Sequence, residues 1–148
     1  MIQSATARLQ ELVDVIPPIL SQKDAAYFMS GNLESGKWNR QQILGHLIDS
    51  ALNNLHRFVR TQYEHEPFVY YDQNEWNKLN AYSHANYLDL IALWRALNQQ
   101  IVTTLMHIPD EAFSRQCRVS VTQLMPLHEL VYDYIGHLEH HLKQITEY

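Results

Sequence analysis

Four long stretches of this chain repeat their apolar residues every three or four positions, a period that suits helices and excludes strands. The first runs from about Ile2 to Ala26, with Leu9, Leu12, Val13, Ile16, Ile19 and Leu20 on one face. Pro17-Pro18 inside it predicts a kink or two consecutive helices. The second runs from about Asn39, a suitable N-cap, to Tyr63. Its apolar face is Leu44, Leu47, Ile48, Ala51, Leu55, Phe58 and Val59, and a polar stripe lies beside it: Gln42, His46, Asp49, Ser50, Asn53 and Arg57. The third spans about Ser83 to His107, with Ser83 as its expected cap, and Ile108-Pro109 ends it. The fourth starts at Pro126, which suits a first helical position, and reaches about Glu147.

The connections differ in length. A loop is expected from Ser30-Gly31-Asn32 past Gly36. An ordered loop is expected over Glu64 to Asp72, and a short helix over Gln73 to Leu79. Asp110 to Met125 reads as irregular, with a short strand or extended segment over Arg118 to Leu124. The expected fold is therefore all-α, a four-helix bundle with long inter-helix connections, in one domain over residues 1–148.

Composition limits the function. Hydrophobic residues make up 46% and charged residues 18%, which fits a folded domain. The net charge of -5 and the lack of a basic stripe argue against a nucleic-acid partner. No stretch approaches the roughly 20 apolar residues of a membrane span. The N-terminus does not read as a secretory signal, and the single cysteine, Cys117, can form no internal disulfide. A soluble cytoplasmic protein is the expectation.

The chemistry concentrates in three histidines. His137 and His141 are four residues apart, so their imidazoles share one helical face, one turn apart. They lie on or beside the apolar stripe of the fourth stretch, where burying two imidazoles without a partner is costly. A metal ion or a carboxylate network would remove that cost. A third histidine on a facing helix, His46, can complete a facial triad with coordination positions left open. His140 is rotated about 100° from His141 and reads as a flank. His56, His65, His84, His107 and His128 read as surface or hydrogen-bonded residues. Asp133, one turn before His137, can orient its second ring nitrogen, approach the metal, or form an ordinary ion pair. Asp49, Asp72 and Asp133 are the candidate general bases, and none is assigned. Phe68, Tyr70, Tyr71 and Trp76 can line a pocket or pack over one end of the bundle. Arg57 can meet an anionic substrate or pair with an acid. Cys117 has no histidine close in sequence and is not a candidate nucleophile.

Three segments together resemble the DinB/YfiT-like superfamily: Trp38 to Ser50 around Gly45-His46, Tyr71-Asp72-Gln73-Asn74-Glu75-Trp76, and His137 to Ile145. The resemblance covers most of the chain. It implies a four-helix bundle with a divalent metal, zinc or nickel, held by His46, His137 and His141, the last in preference to His140. It also implies a metal-dependent hydrolase or a low-molecular-weight thiol S-transferase, a small-molecule substrate (for the transferase a thiol), and a homodimer, for which Trp38 and Trp94 offer aromatic surface. The alternative is a non-catalytic, stress-associated dimeric bundle with structural histidines. A haem site is weaker, because it would not need three clustered histidines.

Overall fold

The computed structural model describes residues 2–31 and 37–148. Helix α1, Ile2–Ser21, runs through both Pro17 and Pro18, so of the two outcomes expected there, a kink or two consecutive helices, the split into two helices at the prolines is corrected. The missing N–H groups remove only two bonds near the helix end, and Ile16, Pro17 and Leu20 are held by burial in the core. The break comes after Ser21. Helix α2, Ala25–Met29, then restarts behind Asp24, whose carboxylate accepts the Tyr27 N–H. The loop expected past Gly36 lies over 32–36 outside the described residues.

Helix α3, Arg40–Tyr63, starts where the sequence places it. Asn39 accepts the Gln42 N–H and the Gln42 side chain accepts the Asn39 N–H, a reciprocal cap. Helix α4, Gln73–Leu79, is capped by Asp72. Helix α5, Tyr87–Met106, begins later than expected: Ser83 lies in a 3₁₀ turn, Tyr82–His84, and Asn86 is the cap. The Asn86 side chain accepts the N–H groups of Leu88 and Asp89.

Between α5 and the last helix, a 3₁₀ turn over Asp110–Ser114 leads to a small antiparallel hairpin. Its strands are β1, Gln116–Arg118, and β2, Leu124–Pro126, with Cys117 opposite Met125. The extended segment expected over Arg118 to Leu124 is thus corrected. Strands flank it, and Val119 N–H donating to Gln123 closes the turn between them. Helix α6, Leu127–Ile145, follows, with Pro126 as its cap rather than its first residue.

Helix α1 packs on α5 and α6, and α3 packs on the same two helices. Helices α1 and α3 therefore sit on one diagonal of the bundle, and α5 and α6 on the other. The α1–α3 and α5–α6 connections cross the bundle end, which accounts for the added α2 and the hairpin. The shared core includes Leu9, Leu12, Leu47, Ile48, Ile101 and Leu138, all about 1% exposed or less. Trp94, expected on the surface, is fully buried in this core, because it falls on the inner stripe of α5 with Ile91, Asn98 and Ile101. Among the described residues no helix is long and apolar enough to cross a membrane.

Candidate metal centre

Helices α3 and α6 are neighbours, and their contact brings the three predicted histidines together. His46 is buried on α3; His137 and His141 are half-buried, one turn apart on α6. One nitrogen from each lies within 4.8 Å of the others. Nε2 of His46 is 3.0 Å from Nε2 of His137. His140 stays outside this group, exposed, with its ring 5.0 Å from that of His141.

Burial, reinforced by the charges of the other two histidines, pushes His46 down to about 3. Burial and then His141 push His137 down to about 4, against an opposing pull from Asp133. Both rings are neutral at pH 7 and present lone pairs, as metal ligands must. The Nδ1 atom of His46 is buried without a hydrogen-bond partner, and its Nε2 faces another imidazole nitrogen. Nitrogen ligands about 2.0–2.1 Å from one ion lie roughly 3.0–3.4 Å from each other, so the 3.0 Å contact suits a shared cation. Three convergent imidazole nitrogens, a buried His46 nitrogen without a partner and the 3.0 Å His46–His137 contact fit a divalent metal ion.

Two residues around the triad were not assigned to the site from sequence; Trp38 was read as dimer surface. Gln144 Oε1 accepts from His141 Nδ1 at 2.8 Å, which leaves Nε2 as the lone-pair nitrogen of that ring. Its three-residue step from His141 was the available signal. Trp38 packs its ring 4.9 Å from that of His46, a contact made across the start of α3 that no spacing rule reveals. Trp38 and Gln144 also line a cleft of about 390 Å³, together with Lys37, Arg40, Gln73 and Asn74.

Asp49, one turn after His46, is fully buried. Its Oδ1 accepts from the Tyr82 hydroxyl at 2.5 Å and the Asn80 amide at 3.0 Å, while Oδ2 has no partner. Burial lifts its carboxyl to about 6, and the two donors hold it from rising further. Gly45 makes this possible: a Cβ there would meet the Tyr82 ring at 2.2 Å.

The remaining candidates have other duties. Asp72 caps α4 through the N–H groups of Asn74 and Glu75. Asp133 is exposed and acts on His137 through its charge. Arg57 donates from Nε and Nη2 to the Val69 carbonyl, so it clamps the loop before α4 onto α3. Tyr71 and Trp76 pack edge to face, with centroids 5.7 Å apart, while Phe68 and Tyr70 are exposed. Cys117 is buried, donates to the Pro67 carbonyl, and burial pushes its thiol up. His84, His107 and His128 make local contacts with Ser83, Thr103 and Phe113, and His56 and His65 are exposed.

Comparison with known proteins agrees with this architecture. The chain is 27% identical over 149 aligned positions to "Putative metal-dependent hydrolase YfiT" of Bacillus subtilis (strain 168), covering 99% of this chain and 79% of the relative. The solved structure of YfiT, described as a probable metal-dependent hydrolase with an unusual four-helix bundle topology, superposes with a TM-score of 0.80. That match is 23% identical and covers 95% of this chain and 83% of YfiT. The mycothiol-dependent maleylpyruvate isomerase shares the fold with a TM-score of 0.80 at 16% identity. It is longer: the match covers 98% of this chain and 60% of the isomerase. The family profile of the DinB superfamily matches residues 1–145. The chain belongs to the DinB superfamily.

Proposed function

We propose that His46, His137 and His141 hold one divalent ion, zinc or nickel, and that the chain is a metal-dependent enzyme acting on a small molecule. The reaction is hydrolysis or the transfer of a low-molecular-weight thiol. One observation carries this reading: three imidazole nitrogens converge within 4.8 Å, and residues packed on them line an open cleft. The relative described as a metal-dependent hydrolase supports the first reaction. The fold shared with a mycothiol-dependent isomerase supports the second.

When bound, such an ion supplies positive charge that acidifies water or a thiol and polarises a carbonyl. The chain supplies the rest. Burial keeps His46 and His137 neutral, Gln144 orients His141, and the Trp38 ring shields His46 on one side. Asp49 is committed to Tyr82 and Asn80, and it is not assigned as a base. The homodimer belongs to the same proposal, and sedimentation showing only a 17.4 kDa species at micromolar concentration would contradict it.

The test is an assay of ester and amide hydrolysis, and of thiol addition to electrophiles, before and after chelation. We expect activity in one panel, lost on chelation and in His137→Ala, and restored to the wild type by zinc or nickel. Turnover that ignores both treatments would refute the metal-dependent mechanism. A metal-bound protein inactive in every panel would favour the non-catalytic bundle.

A further inference from the structure

We propose that the substrate of this site is a multiply charged anion, held by a lysine-lined tract running through three adjoining clefts beside the histidines. The inference rests on the enzymatic reading above, and it adds the substrate's charge class.

The chain has four lysines, and every one of them lines this tract. The central cleft, about 390 Å³, carries Lys37 and Arg40. A second, about 280 Å³, carries Lys78 and shares Trp38 and Asn74 with the first. A third, about 430 Å³, carries Lys23 and Lys143 and shares Arg40 and Gln144 with the first. The linking residues are the ones that touch the triad: Trp38 packs on His46, and Gln144 accepts from His141.

The charge here runs against the composition of the chain. Asp and Glu outnumber Lys and Arg by 16 to 11, yet among the described residues Glu147 is the one carboxylate side chain lining the three clefts. Two of the cations also crowd a single ring. Lys23 Nζ lies 5.0 Å and Arg40 Cζ 4.1 Å from the centroid of Tyr27. The ring face favours each cation, the two like charges repel one another, and an anion beside either of them offsets that repulsion. Among the described residues, Arg40 is otherwise held by neutral oxygens, the Ser30 hydroxyl at 2.7 Å and the Tyr27 carbonyl at 3.3 Å.

A cleft of one sign focuses field and concentrates counter-charged ligands. Single exposed ion pairs contribute little, so a tract of five cations favours a ligand bearing two or more separated charges over a monoanion. Neutral amides of the same shape gain nothing from it. Binding should also weaken as salt screens the lysines.

The test uses adipate as the probe and adipamide as its neutral counterpart, in NMR titrations of the whole protein. Lys23→Gln/Lys143→Gln and Lys37→Gln/Lys78→Gln are titrated beside the wild type, with melting curves and metal content taken on each sample. We expect adipate to shift the amides of Trp38, Asn74 and Gln144, with a Kd at least fivefold weaker in each folded double variant and at higher salt. Adipamide should not shift them. Phosphate titrated in parallel separates carboxylate from phosphoryl preference, and either preference sustains the anion class. Equal response to adipate and adipamide, or an adipate Kd unchanged in both variants, overturns the proposal. If those results come from metal-loaded protein, this inference fails alone. Lysine-dependent adipate binding by a protein that takes up no metal overturns the enzymatic reading instead.

Discussion

At the scale of single residues, the proposed metal centre depends on which nitrogens are neutral and which way they point. Gln144 fixes the second of these for His141. Gln144→Leu should keep the fold and weaken zinc affinity by about tenfold, measured by competition with a chromophoric chelator; an unchanged affinity would remove Gln144 from the site. Asp49 makes a separate prediction. Its folded carboxyl titrates near 6 against an ordinary 3.8, so between these values the folded state binds the extra proton. Wild-type stability should therefore fall relative to Asp49→Asn as pH rises from about 4 through about 6, by roughly 2–3 kcal/mol in urea unfolding of metal-free protein. A flat difference would mean that Asp49 is not desolvated. His46 and His137 have the opposite sign. Their stabilising neutrality is complete above about 6.5 and is lost as pH falls toward 3 to 4. The triad was legible because a four-residue step on a helix is a geometric statement. Trp38, Tyr82 and the Arg57 clamp were not, since each depends on where a distant segment lands.

At the scale of elements, long helices declared themselves through their period, and their ends followed from whichever side chain could cap. Asn39 was readable because its partner Gln42 lies three residues on. Ser83 misled because Asn86, three residues on, caps the helix through the N–H groups of Leu88 and Asp89, and Ala81, at φ 54°, turns the chain first. The prolines of α1 do not split it into two helices, because burial outweighs two lost hydrogen bonds near a helix end. The short hairpin carries too few residues for alternation to register. Gly45 of α3 leaves no room for a Cβ beside the Tyr82 ring. Gly45→Ala should destabilise the protein by about 2–3 kcal/mol through overpacking, and it should also disturb the Tyr82–Asp49 bond. Chemical denaturation checks this, and a change under 0.5 kcal/mol would show that Tyr82 moves aside easily.

At the scale of the whole molecule, the diagonal arrangement of α1 opposite α3 was not readable, because periodicity says which face is buried and not which helix covers it. The helix class and the pairing of His46 with α6 nevertheless followed from the chain itself and from its likeness to the superfamily. The arrangement makes α3 and α6 direct neighbours, and that contact is what turns two separated motifs into one centre. The most direct measurement is therefore the metal content of untagged protein by elemental mass spectrometry, with His46→Ala and His141→Ala alongside. The account predicts close to one zinc or nickel per chain in the wild type, lost from both folded variants. A wild type that neither retains nor takes up zinc or nickel, or variants that keep a full complement, would contradict it.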